Sequence, residues 1–470
     1  MKRERLKSLV LVLLVVINFA LAGRILTDKK LWPNGYNYFS NMDFLNVSKW
    51  YSSAVNYFKG EEKDKNQILM PEKIIINTGD QTTRLSLNSS DVEFEQMAIE
   101  TGKLLKSAFQ NKKNEVSEIT KDTLYQTLSA DSLYLEYHRE FDVKMFSELV
   151  GGKNNSMTNA DFTFSGIILT YSPKTEVYIP DLNNDKYYKI TGVDKSKEIE
   201  KLSDDCIKRK AQSQTNIINY SFELGFDKTF GTQKTILNPF IQIYSTAIQM
   251  PSIKADNPFY HETGELNTGM VNKTLEIFGI SPDTIGRYTK EDGEMVFVEN
   301  NATMKIDTNG FIEYDATNSG IKISDGKSRY SDILGVLKII NKINVAAGRG
   351  NEMYLSGTDE NKDVLSFDYS VSGVKVKLEY KKFASGVEVV VKDGYLKSYK
   401  QLVRNYTVTN NMTTPMEFFE ALDNSILKYS EFMNEIKIEK MNLGYSDDGS
   451  VGEKNIDWIV DVDNVIVADK

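Results

Sequence analysis

Side chains able to move protons or hold a metal near neutral pH are few in this chain. Its two histidines, His138 and His261, stand more than a hundred residues apart, and Cys206 is the lone cysteine. So few ligands cannot assemble a Cys/His zinc cluster, and no intramolecular disulfide can form. Acid–base or nucleophilic chemistry would fall to carboxylates, lysines or serines. Ser324 with Lys327, and Ser425 with Lys428, have the Ser-x-x-Lys spacing of penicillin-binding enzymes. The Ser-Asp-Asn and Lys-Thr-Gly partners of that site are missing from the sequence, and Ser324 lies in an evident turn. Asp181, Asn183 and Asp185 match the first three spacings of a calcium loop, but Lys186 replaces the glycine and no acid follows at the twelfth position. A turn between strands is the expectation there. His138 in "YLEYHREFD" and His261 in "NPFYHETGE" are flanked by aromatics and are expected to be packed or surface side chains. No Gly-rich phosphate cradle follows a strand and no Gly-x-Ser-x-Gly elbow occurs. The inventory predicts no catalytic residue, no metal ligand and no cofactor, and it suits binding.

Composition bounds the rest. At 470 residues with 40% apolar and 26% charged content, the chain is a folded protein too long for one ordinary core, so two or three domains are expected. Residues 1–26 hold five basic groups and one acid, leaving 52 basic against 65 acidic residues in the remainder. An acidic body without a concentrated Lys/Arg patch excludes nucleic acid as a natural partner. The single thiol fits an exported bacterial protein that avoids disulfides. Eight Asn-x-Ser/Thr sequons, among them Asn88, Asn272 and Asn301, reflect a composition rich in Asn, Lys and Ile.

"MKRERLKSLVLVLLVVINFALAG" decides where the chain sits. Four basic residues precede an apolar run from Leu9 to Ala22 broken by Asn18 alone, and with Leu6 and Ile25-Leu26 the segment reaches the length that crosses about 30 Å of hydrocarbon. The basic cluster comes first, which places the N-terminus in the cytoplasm and the bulk outside. Ala20-Leu21-Ala22 satisfies the small-residue rule for signal cleavage. Phe19 precedes it without a polar region, however, and Arg24-Ile25-Leu26 continues a helix end, so a retained anchor is predicted; cleavage at Ala22-Gly23 would instead release a cell-envelope binding protein, and a cell-wall enzyme with a carboxylate pair in a cleft is the other alternative. No cysteine follows the run, which excludes a lipid anchor of the lipoprotein kind. Asn18 is either tolerated two turns from the outer end or hydrogen-bonds to a neighbouring helix, a contact of about 0.6 to 2 kcal/mol.

The elements beyond the anchor predict an α+β chain, with antiparallel sheets and packed helices in several extracytoplasmic domains. The expected division is a cytoplasmic tail over 1–7, an anchor over 8–26, a juxtamembrane linker over 27–70, and α+β domains over 71–265, 266–350 and 351–470. In the linker, Trp32, Tyr36, Tyr38 and Trp50 suit the headgroup belt, and "KGEEKDKNQ" reads as a spacer. "PEKIIINTG" predicts a strand. Ser90 and Glu93 predict a capping box ahead of a helix whose apolar face is Phe94, Met97, Ile99, Leu104, Leu105 and Phe109. "FTFSGIILT", "EVYIP" and "KYYKI" predict strands, and 196–218 a charged helix. A helix is expected over 267–279, then a hairpin whose Asn309-Gly310 forms a two-residue turn. Ser331 is the expected cap of "DILGVLKIINKIN". "VLSFDYSV", "VKVKLEY", "VEVVV" and "YLKSYKQLV" predict strands around Asp393-Gly394, and Thr414-Pro415 opens a helix over "MEFFEALDNSILKYSEFM". Strand-like "KIEKMNLGYSDD" and "NIDWIVDVDNVIVA" close the chain, and the repeated order of elements predicts that the last two domains are related.

The opening "MKRERLKSLVLVLLVVINFAL", the early Trp32, the "VFVENNATMKIDTNGFIEYDA" hairpin and the closing "LGYSDDG" and "IDWIV" together resemble the YycH regulators of Gram-positive bacteria. The resemblance covers the layout of the whole chain. It implies a short cytoplasmic tail, one anchor helix and a large external α+β portion that acts without catalysis. It also implies partners: a YycI-like protein and the cell-wall sensor histidine kinase YycG (WalK), the kinase's membrane spans meeting Leu6–Leu26. Within that helix, Leu9, Leu13, Val16, Asn18 and Ala20 are the candidate partner-contacting residues.

Overall fold

The structure is a computed structural model that describes residues 69–463 apart from 80–83, 112–113, 151–159, 194–195, 211–217, 246–247, 284, 349–350 and 360–361. The expected anchor with Leu9, Leu13, Val16, Asn18 and Ala20, and almost all of the linker, lie outside the described residues. Among the described residues no helix is long and apolar enough to cross a membrane.

The first sheet grows from Lys73–Asn77, whose three isoleucines are fully buried because both neighbours in the sheet and both faces are occupied. Its seven strands are all antiparallel and lie in the order 84–87, 73–77, 132–142, 163–170, 176–181, 186–190, 116–119. Four helices accompany it: α1 Phe94–Gln110, α2 Lys121–Thr127, α3 Val143–Leu149 and α4 Lys197–Lys210. Alternation along the strands sends Ile74 and Ile76 into one core with Met97, Leu105 and Phe109 of α1, Phe146 of α3 and Cys206 of α4. Ile75 points the other way, to Leu124 of α2 and to Tyr220 and Phe240. Five of the six apolar positions expected on α1 are buried; Ile99 is not, since two residues from Met97 it turns to solvent.

The expected capping box is not formed. Glu93 occupies the N-cap of α1 without a side-chain cap, and the Ser90 hydroxyl donates instead to Asn88 Oδ1 at 2.6 Å. An Asx turn at Asn88 has captured it. The charged helix expected over 196–218 is α4, and Ile218–Tyr220 is already a strand.

The larger sheet has thirteen strands. Its main path runs 286–289, 295–298, 302–306, 311–316, 395–402, 387–392, 364–371, 374–378, 436–447, 456–462, with 321–322, 352–359 and 235–237 attached beside it. Pairing is antiparallel except where 436–447 runs parallel to 374–378 and to 235–237. Pairing therefore joins residues on either side of the divisions expected at 265/266 and 350/351: 235–237 reaches 436–438, and 311–316 lies against 395–402. A three-stranded sheet, 405–413, 250–256, 452–454, does the same. Helices α5 Thr268–Ile277, α6 Arg329–Ala346 and α7 Phe418–Ser430 complete the chain. Ser328, not Ser331, caps α6: its backbone is still extended, and its hydroxyl accepts from Ser331 N at 3.2 Å.

Turn chemistry sorts the hairpins. Asp393-Gly394 has φ of 53° and 77°, and Ser372-Gly373 has 52° and 77°, both two-residue turns matched to strand twist. Asn309-Gly310 departs from that expectation. Of the two, Gly310 alone has positive φ, and Gly310 N donates to Asp307 O at 3.0 Å, a type I turn followed by a left-handed glycine. The Asp307 carboxylate holds the longer loop by accepting from the backbone N–H groups of Asn309 and Phe311, each at 2.9 Å. A Cβ at Gly394 would meet Gly326 N at 2.7 Å and Ser324 O at 2.8 Å. Gly394→Ala should therefore lower stability by about 1 to 3 kcal/mol, read as a drop in the denaturant midpoint.

Candidate functional site

The structure disperses the residues that sequence chemistry singles out. Ser324 donates to the Asp332 carboxylate and accepts from Gly326 N, while Lys327 turns to Asp325 at 3.7 Å. Ser425 donates back to Ala421 O at 2.8 Å within α7. Asp181 is buried in a strand turn, accepting from Asn184 through both carboxylate oxygens, and Asp185 accepts from Tyr187 Oη at 2.6 Å. Those carboxylates tie the turn to itself. His261 is exposed in a turn closed by its own backbone, and Cys206 is fully buried on α4. Among the described residues no group of three His, Cys, Asp or Glu side chains stands close enough to share a metal ion.

His138 belongs to a buried polar seam where the two large sheets meet. Strand pairing sets Lys73 opposite Glu136, and strand 436–447 of the larger sheet brings Lys440 and Asn442 across to them. Lys73 Nζ donates to Asn442 Oδ1 at 2.6 Å and to Gln242 Oε1 at 3.2 Å, and stands 3.8 Å from Glu136. Asn442 Nδ2 donates to Glu72 at 3.3 Å and to Glu136 at 3.2 Å, and Gln242 Nε2 to Glu136 at 3.1 Å. Lys440 Nζ donates to Tyr137 O at 2.6 Å and lies 3.9 Å from Glu72. His138 Nδ1 is 3.4 Å from Glu72, and its ring stacks on Tyr354 of the larger sheet at 3.5 Å between centroids.

Burial alone would push the Glu72 carboxyl up, but His138, Lys440 and Lys73 overcome it and hold the group well below the usual carboxylate range. Burial lowers Lys73 in turn, and Glu136, Tyr244 and Glu72 together raise it above the ordinary lysine value. Each charge in the seam thus has an opposite partner or an amide to satisfy it. Such an arrangement fixes the two sheets against each other.

A second buried node ties together two of the sequence motifs. Arg404 is fully buried and donates to Asn309 O in the "TNG" turn, to Val403 O, and to Gly449 O in "SDDG". Beside it, Asp447 accepts from Tyr406 Oη at 2.7 Å and from Gly449 N at 2.8 Å, and Lys454 Nζ lies 3.4 Å away. The hairpin and the closing segment are thus one local structure, clasped by an arginine from the two-residue break between strands 395–402 and 405–413. Sequence reasoning missed Glu72, Lys73, Glu136, Arg404 and Asp447 as a set, because their partners lie up to 370 residues away.

Neither a protein-family model nor a curated protein matches the chain. Among solved structures, the crystal structure of YycH from Bacillus subtilis aligns with a TM-score of 0.55, covering 86% of this chain and 96% of that one, at 12% sequence identity. An uncharacterized protein from Eubacterium rectale aligns over 48% of this chain and 80% of its own, with a TM-score of 0.31 and 12% identity. The mixed α+β architecture described above, mostly antiparallel sheets with seven helices among the described residues, is the YycH fold.

Proposed function

We propose that the chain is a membrane-anchored, non-enzymatic regulator of a cell-wall two-component sensor histidine kinase of the YycG (WalK) type, acting with a YycI-like partner. The observation that carries this reading is the shared fold, which extends through 86% of the chain. The bulk lies outside the cell in this account, held by the helix over 8–26 with its N-terminus in the cytoplasm. Leu9, Leu13, Val16, Asn18 and Ala20 contact the kinase's membrane spans. The expected division after residue 70 into three external α+β portions, 71–265, 266–350 and 351–470, belongs to the same reading.

A helix that only tethers has no use for an amide at membrane depth. One that biases a kinase between two signalling states must contact those states unequally. An Asn18 contact of about 0.6 to 2 kcal/mol, made in one state only, shifts that equilibrium about 3- to 30-fold. Asn18→Leu should therefore keep the protein in the membrane at its normal level and change the output of a kinase-dependent reporter by a factor in that range. Unaltered output at normal expression would remove the helix-contact mechanism.

A further inference from the structure

The buried seam between the two large sheets lies against the point where the described residues begin. Leu69 and Met70 pack at the margin of the main core, and Pro71 and Glu72 are buried. Proline fixes its own φ and holds the residue before it extended, so a displacement of the chain at Met70 is carried on to Glu72. Further along, the strand resists. Pairing with 132–142 starts at Lys73, where Glu72 N also donates to Glu136 O at 2.6 Å, but pairing with 84–87 starts only at Ile74. From Ile74 to Asn77 the strand is held on both sides, which leaves Glu72-Lys73 as the part that lifts first.

These two neighbours, opposite in sign, supply the charge balance of the seam. Lys73 faces Glu136 within the first sheet, and Glu72 faces His138 there and Lys440 on strand 436–447 of the larger sheet. Lys73 also donates to Asn442 on that strand, and Asn442 donates to Glu72. With Glu72-Lys73 lifted, Glu136 keeps only the amide donors of Gln242 and Asn442, and Lys440 keeps only the carbonyl of Tyr137. Glu136 is 7% exposed. A charge at that depth without its counter-charge is costly, so lifting the pair favours a looser fit of the sheets that lets water reach Glu136 and Lys440.

We infer that Glu72-Lys73 is a latch on the joint between the two sheets: seated, it neutralises Glu136 and Lys440 and holds the first sheet on strand 436–447, and lifted by the chain that precedes it, it lets the joint loosen. The expected anchor lies on that side of the chain. The use of the latch by an anchored regulator rests on the function proposed above; the latch itself is a property of the fold and is tested without the kinase.

Distances between paired spin labels on the full chain in detergent micelles test it. Labels are placed through Glu118→Cys and Lys392→Cys to report between the sheets, and through Glu118→Cys and Glu140→Cys to report within the first sheet, all at exposed strand positions; Cys206 is fully buried and stays in place. Removing both latch charges with Glu72→Gln and Lys73→Gln should widen the between-sheet distance distribution about twofold and leave the within-sheet one unchanged. Lys73→Gln alone keeps the Glu72 pair with Lys440 and should widen it less, in the same direction. A between-sheet distribution that stays narrow in both variants overturns the latch. So does equal widening of both distributions, which would assign the two residues to general stability.

Discussion

Arg404→Met should lower the stability of the folded portion by about 3 to 5 kcal/mol, the cost of breaking a buried ion pair from one side. The methionine fills the volume of the stem but leaves the carbonyls of Asn309 and Gly449 without their donor and removes a positive neighbour from the buried Asp447 carboxylate. Tyr406 and Lys454 still hold Asp447 from the other side, which keeps the loss at the scale of one node rather than of the whole sheet. Arg404→Lys should recover little, since one ammonium cannot reach both turns that the guanidinium spans. Equilibrium denaturation reads the change as a lowered midpoint. A loss under about 1 kcal/mol for Arg404→Met would mean that the two turns are held without the arginine.

Glu72→Gln carries the second large effect, and its signature is its dependence on pH. The native carboxyl titrates well below its unfolded value of 4.5, so the group contributes stability that is fully present above that value and is lost as pH falls toward the native one. The amide contributes no such term. It leaves Lys440 and His138 without their carboxylate, at a cost of about 3 kcal/mol near neutrality. The gap between native and variant proteins should be widest at pH 6 to 7 and narrow steadily below about 4.5. Denaturant midpoints across that range measure it, and a gap independent of pH would show that Glu72 acts by shape rather than charge.

Local patterns in the sequence reached the elements and stopped short of their assembly. The isoleucines of Lys73–Asn77, the alternation in Val364–Val371 and Val374–Leu378, and Asp393-Gly394 all depend on neighbours within a few residues, and each reads correctly. Ser90 and Ser331 misled because a competing partner, Asn88 in one case and the Ser328 cap in the other, decides which hydroxyl serves the helix. Asn405–Thr413 is too polar to announce a strand, and its place is fixed by Met250–Asp256, more than a hundred residues earlier. The seam is hidden for the same reason. Glu72, Lys73 and Lys440 look like ordinary surface charges until strand register brings them together.

The two buried nodes bear on the proposed function through what they join. A body whose sheets are locked by satisfied charges can pass a displacement from one end to the other without losing it in internal slack. The proposed regulator would need such coupling between its external contacts and its membrane helix.

The most direct test of that account is photo-crosslinking in the membranes of living cells, with a photoreactive side chain in place of Val16 and, separately, of Asn18. An adduct between the intact chain and a sensor histidine kinase, identified by mass, is the expected result. Adducts with lipid alone, or a mature chain that begins at Gly23 and so has lost the helix, would contradict it.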